Sequence, residues 1–135
     1  MKRKWTDKKI LIIGLSKSGA AAARYLADKG ADCYLTEYSQ LKDEDRELVK
    51  ELEGRGIKIE TGGHSEEFIQ NAYLAVISPG VPPSSGIFKR LKELKIQIIS
   101  EIELAYLEAS TPFIAVTGTN GKTTTTMLAS YILES

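Results

Sequence analysis

Apolar and polar positions alternate in blocks along this chain, short aliphatic runs taking turns with stretches of helical periodicity. Ile10 to Ile13 are four aliphatic residues with no polar alternation, which suits a strand covered on both faces of a sheet. Ser18 to Lys29 predict a helix with an Ala-rich packing face, closed by Gly30. Cys33 to Thr36 predict a second strand, and Asp43 to Gly54 a charged amphipathic helix with Leu48, Val49 and Leu52 facing inward. Ile57 to Glu60 give a third strand ending at Gly62-Gly63, and Leu74 to Ile77 a fourth, stopped by Ser78-Pro79-Gly80. A helix over Ile87 to Leu94, a strand over Gln97 to Ile99 and a helix over Glu101 to Glu108 follow. Phe113 to Thr117 predict one more strand, running into a helix that begins near Lys122. This alternation predicts an α/β fold, a doubly wound parallel sheet of Rossmann-like type. Right-handed crossovers would put its ligand crevice at the carboxyl ends of the strands.

Thr111-Pro112 marks a seam in this pattern. Residues 1–110 are expected to form a nucleotide-binding domain, and 111–135 the opening strand and helix of a second, truncated ATP-binding domain. Composition narrows the partners. Among 135 residues, 18 basic side chains balance 18 acidic ones, so neither nucleic acid nor an acidic membrane surface is indicated. No apolar run approaches the length of a membrane span. The basic start Met1-Lys2-Arg3-Lys4-Trp5 leads into Thr6-Asp7-Lys8-Lys9 rather than an apolar core, unlike a secretory signal. Cys33 is the single cysteine, which excludes an internal disulfide and reads as a small buried hydrophobe. A cytoplasmic monomer is expected.

Three loops carry candidate chemistry. Thr117-Gly118-Thr119-Asn120-Gly121-Lys122-Thr123-Thr124 follows a predicted strand and opens a helix. Successive backbone N–H groups and a helix N-terminus would converge on one point, as an anionic phosphate needs. Lys122 would add a positive charge for the terminal phosphates, and the Thr123 hydroxyl is placed for Mg²⁺. Only two residues lie between Gly118 and Gly121, with Val116 where the general pattern has its first Gly, so the loop is a shortened form. Gly14-Leu15-Ser16-Lys17-Ser18-Gly19 follows the first strand and opens the first helix. It matches the dinucleotide fingerprint except that Ser16 replaces the middle Gly, which weakens a nicotinamide reading and leaves a diphosphate site or a tight turn open. Glu37 closes the second strand, placed for ribose hydroxyls or a base. Ser78-Pro79-Gly80 reaches the same sheet edge, as a ligand-lining loop or a plain strand terminator. His64, the only histidine, has no metal partners in its neighbourhood and is not expected to be catalytic.

Taken together, these loops and the segments Thr61-Gly62-Gly63-His64 and Ser100-Glu101-Ile102-Glu103-Leu104-Ala105 resemble the Mur ligases of peptidoglycan synthesis, and within them the D-glutamate-adding branch. The resemblance covers the whole chain, and the phosphate loop alone is shared with folylpolyglutamate synthases. It implies an ATP- and Mg²⁺-dependent ligase that activates the carboxylate of UDP-N-acetylmuramoyl-L-alanine as an acyl phosphate, which the amine of D-glutamate attacks. It also implies that Ser16, Lys17, Ser18 and Gly19 cradle the UDP diphosphate. Glu37, Tyr38 and Ser39 would surround the uracil, with Ser78, Pro79 and Gly80 on its other side. Gly118, Thr119, Asn120, Gly121, Lys122, Thr123 and Thr124 would bind ATP, Lys122 acting in phosphoryl transfer and Thr123 holding Mg²⁺. The chain by itself is then expected to bind only the UDP moiety and to lack turnover. An NAD(P)-binding domain of an oxidoreductase is the alternative reading of the fold and Glu37, and another Mur ligase or a folylpolyglutamate synthase-like enzyme is the alternative within the resemblance. A P-loop regulatory module is another, and it would need a complete ATPase core.

Overall fold

The computed structural model describes residues 5–134. Five strands, β1 (Lys9–Ile13), β2 (Asp32–Glu37), β3 (Lys58–Thr61), β4 (Leu74–Ile77) and β5 (Gln97–Ser100), pair in parallel in the order β3-β2-β1-β4-β5. Six helices accompany them: α1 (Lys17–Asp28), α2 (Arg46–Gly54), α3 (Glu66–Ile69), α4 (Gly86–Glu93), α5 (Glu101–Glu108) and α6 (Lys122–Glu134). The order of pairing reverses at β1, which is flanked by β2 on one side and β4 on the other. That reversal opens a crevice between the carboxyl ends of β1 and β4.

The aliphatic run of β1 explains the layering. Ile10 and Ile12 point into a core with Leu26, Leu35, Leu52, Val76 and Leu104, on the α1, α2 and α5 side. Leu11 and Ile13 point into a second core with Ile69, Ala75, Ile87 and Leu91, on the α3 and α4 side. All four are fully buried. Each such side chain contributes about 1.5–3 kcal/mol of burial, so β1 is the most heavily committed element of the sheet. Ser16, Ser65 and Ser100 open α1, α3 and α5 by accepting the N–H of Gly19, Phe68 and Glu103. The helix expected from Asp43 begins as a tight 3-10 turn, Asp43–Asp45, before α2 proper.

One expectation fails. Phe113 to Thr117 form no strand; Phe113 is 53% and Ile114 67% exposed. A strand exists only as part of a ladder, and neither edge of the sheet, β3 or β5, takes this segment up. α6 forms, but none of its residues is buried, and Met127, Leu128, Tyr131 and Ile132 stand exposed.

Candidate functional site

The carboxyl ends of β1, β2 and β4 surround a cleft of about 880 Å³. Its walls come from the loop after β1 (Gly14, Leu15, Ser16, Ser18), the end of β2 (Glu37, Tyr38, Ser39), His64, the turn Ser78 to Pro82 and the start of α4. The structure thus brings together most of the residues expected at a UDP site. Lys17 is exposed and does not line the cleft, and Gly19 lies buried beneath it. Residues 118–124 line no part of this cleft.

The loop after β1 is shaped by close approach. A Cβ at Gly19 would stand 2.3 Å from the Gly14 carbonyl oxygen, and one at Gly14 (φ +107°) would meet Ser78 at 2.9 Å. Glycine is therefore needed at both ends of the loop for reasons of space, and at Gly14 also of conformation. Ser16, standing where a dinucleotide loop has its middle Gly, caps α1: its Oγ accepts the Gly19 N–H at 3.0 Å. Ser16 Oγ also lies 3.2 Å from Ser18 Oγ and 3.0 Å from Ser78 Oγ, and Ser78 Oγ donates to Glu101 Oε1 at 2.6 Å. A hydroxyl has one proton. Because Ser78 spends its proton on Glu101, Ser16 donates to Ser78 and Ser18 donates to Ser16. The hydroxyls form a directed chain, Ser18 to Ser16 to Ser78 to Glu101, in which every proton is already taken by a protein acceptor. What remains for a ligand is the backbone: the N–H groups of Ser16, Lys17 and Ser18 donate to no described residue. These are orphan donors at a helix start, where the dipole also favours an anion.

Glu37 has a role the sequence did not reveal. Its Oε2 accepts the Leu15 N–H and its Oε1 the Ser39 N–H, each at 2.8 Å. One carboxylate pins the glycine loop to the end of β2. Burial pushes this carboxyl up, but the backbone N–H groups of Ser39 and Leu15, the Ser39 side chain and the nearby His64 together outweigh it and hold its pKa below the usual range.

Two further wall residues escaped the sequence. Ser85 precedes α4, and its Oγ is shut off from solvent without a partner among the described residues. His64 packs its ring against Tyr38, centroids 5.9 Å apart, while its Nδ1 lies 2.7 Å from Thr36 Oγ1. Burial pushes the imidazole pKa below its ordinary value, with Glu60 and Glu37 pulling the other way. The Gly-Gly-His run was the available signal, but crossing from β3 to the end of β2 is a tertiary event.

The second loop stands apart from the sheet. Gly118 and Gly121 take positive φ (+152° and +78°), and Lys122 Nζ donates to the Gly118 carbonyl at 2.7 Å. The lysine folds over the loop that its own helix follows. The Thr123 side chain is exposed and makes no hydrogen bond to a described residue. Among the described residues no cluster of three His, Cys, Asp or Glu is arranged to hold a metal ion. No described helix is long and apolar enough to cross a membrane.

Residues 8–100 match the model of the Mur ligase MurD-like, N-terminal domain family. The chain belongs to that family. The match spans the whole sheet and every wall of the cleft. Among its relatives are two proteins named UDP-N-acetylmuramoylalanine--D-glutamate ligase. The one from Bacillus cereus (strain G9842) is 42% identical over 95% of this chain and 28% of its own length. The one from Cytophaga hutchinsonii is 43% identical over 94% of this chain and 28% of its own length. A pseudomurein peptide ligase type C from Methanothermus fervidus superposes with a TM-score of 0.66 and 28% identity, over 95% of this chain and 26% of that one. The chain therefore spans just over a quarter of the length of the relatives it matches. A precorrin-2 dehydrogenase, SirC, shares the fold alone, with a TM-score of 0.50 and 14% identity.

Proposed function

We propose that this chain is the UDP-binding part of an ATP-dependent ligase that joins D-glutamate to UDP-N-acetylmuramoyl-L-alanine in peptidoglycan synthesis. The observation that carries the reading is the cleft at the sheet's reversal point, lined at the start of α1 by Ser16 and Ser18, whose N–H groups are unpaired among the described residues, and closed at the other end by Glu37, Tyr38 and Ser39. A diphosphate suits the first end, because it accepts several N–H bonds at once and its charge complements the helix dipole. A nucleoside suits the second. The names of the relatives supply the substrate class, and membership of the MurD-like N-terminal family supplies the context.

Within this reading Ser16, Lys17 and Ser18 act through their backbone N–H groups, while Gly19 contributes the space that lets α1 start close to β1. Ser78, Pro79 and Gly80 form the opposite wall. Residues 111–135 begin the ATP-binding domain. The loop from Gly118 to Thr124 has the donor set a triphosphate requires, a cation already folded over glycines in left-handed conformation and a free Thr123 hydroxyl for Mg²⁺. ATP would supply the phosphoryl group that activates a carboxylate, and Lys122 would hold its phosphates. The protein is read as cytoplasmic and monomeric, its partners being small molecules rather than nucleic acid or membrane.

Titration with UDP, followed by amide chemical shifts, tests the reading. Shifts are expected at Gly14 to Gly19 and Glu37 to Ser39 without Mg²⁺ or ATP. Shifts with NADH and none with UDP would overturn it in favour of a dinucleotide domain.

A further inference from the structure

Thr36 is fully buried at the end of β2, and its Oγ1 sits among three polar atoms: Glu60 Oε1 at 2.7 Å, the Gly63 carbonyl at 3.1 Å and His64 Nδ1 at 2.7 Å. Two of these, the carboxylate oxygen and the carbonyl, can only accept. Thr36 has a single proton, and giving it to His64 would leave its lone pairs facing two other oxygens with no hydrogen between them. The proton must go to Glu60 or Gly63, and the imidazole must then donate from Nδ1 to Thr36. Glu60 is itself oriented by the Ser65 N–H, at 2.9 Å, so the arrangement is braced from the start of α3 as well. A neutral imidazole protonated at Nδ1 carries a lone pair on Nε2. Nε2 has no partner among the described residues and is open to solvent, and His64 lines the cleft.

A neutral nitrogen lone pair repels phosphate oxygens, so the group that meets Nε2 must be a hydrogen-bond donor. Tyr38, tilted 42° to the imidazole, makes this end of the cleft fit a planar ring. We infer that His64 is a specificity-determining residue for the base: its Nε2 accepts the imide N–H of a uracil ring, and Thr36 fixes the tautomer that makes it an acceptor. The inference rests on the UDP reading above and deepens it.

Calorimetric titration with UDP and with its N3-methyl derivative separates the two. The wild-type chain should bind UDP more tightly than the methylated compound by about three- to tenfold, the worth of one hydrogen bond. His64→Asn keeps a donor near Thr36 but removes Nε2, and in it the gap should shrink below about twofold on the same scale. Imidazole ¹⁵N resonances should show Nε2 unprotonated in the free chain and shifted by UDP. Equal binding of UDP and its N3-methyl derivative by the wild type would overturn the role of His64, as would a protonated Nε2 in the free neutral imidazole. Failure of the wild type to bind UDP at all would instead remove the function proposed above.

Discussion

Replacing Gly19 with alanine tests the geometry of the loop after β1 directly. Two effects compete. Alanine is favoured over glycine inside a helix by about 0.5–1 kcal/mol, and Gly19 sits in the first turn of α1 without positive φ. Against this, the new Cβ would lie 2.3 Å from the Gly14 carbonyl oxygen, a backbone atom, with Ser78 Oγ at 3.2 Å and Ser16 Oγ at 3.3 Å. A backbone atom cannot rotate away, so α1 and β1 must separate by several tenths of an ångström or more. Overpacking of this kind costs about 1–3 kcal/mol, so destabilisation should win by about 1–2 kcal/mol. Gly54→Ala is the control. It makes the same chemical change in α2, where nothing lies within 4 Å of the new methyl group, and it should stabilise by about 0.5–1 kcal/mol. Urea denaturation of both variants gives the difference, and UDP titration shows whether displacing the orphan N–H groups of Ser16 to Ser18 weakens the ligand. Equal shifts of the two midpoints in the stabilising direction would refute the close-approach account of the loop.

Glu37→Ala should loosen the loop by leaving the Leu15 and Ser39 N–H groups unpaired, at a cost of about 1–3 kcal/mol and with weaker UDP binding; Glu37→Gln, which keeps one acceptor oxygen, should fall between it and wild type. Acidification should destabilise the chain in two stages, both with the same sign. His64 has a lowered pKa in the fold, so the unfolded chain binds its proton first and stability falls below about pH 6.5; Glu37, also lowered, adds a second loss below about pH 4.5. Denaturation midpoints against pH check this, and a first stage unchanged by His64→Asn would contradict the assignment. Amides of Ile114 to Val116, which belong to no ladder, should exchange with solvent orders of magnitude faster than those of Ile10 to Ile13; equal protection would mean the tail is part of the core. In a full-length protein, Lys122→Ala should slow phosphate release steeply, by raising the barrier by the several kcal/mol typical of a lost contact to developing charge, and unchanged turnover would remove Lys122 from the chemistry.

The sheet was legible because its strands are short aliphatic runs between glycines, and because two buried faces leave no choice of side for Ile10 to Ile13. The strand that the pattern predicts at Phe113 to Thr117 is absent for a complementary reason. Its local pattern is as apolar as that of β1, but a strand's existence depends on neighbours that periodicity does not report. In the cleft, glycine and serine positions could be read from the fingerprint. The work of Glu37 could not, because its partners are backbone amides on two different loops. His64 has no metal partners to mark it in the sequence, and the atom that orients its ring comes from Thr36, on β2.

The carboxylate of Glu108 receives Trp5 Nε1 on one oxygen and the Tyr25 hydroxyl on the other. It is the last residue of α5, and Ala109 leaves in extended conformation. The first described residue, the third turn of α1 and the end of α5 are thus tied at one point, and beyond it none of the described residues is buried. For a protease the boundary is sharp. Cleavage should begin after Ala109 and stop there, releasing a piece that retains all five strands and the intact cleft, ready for crystallisation with nucleotide without the apolar helix that follows.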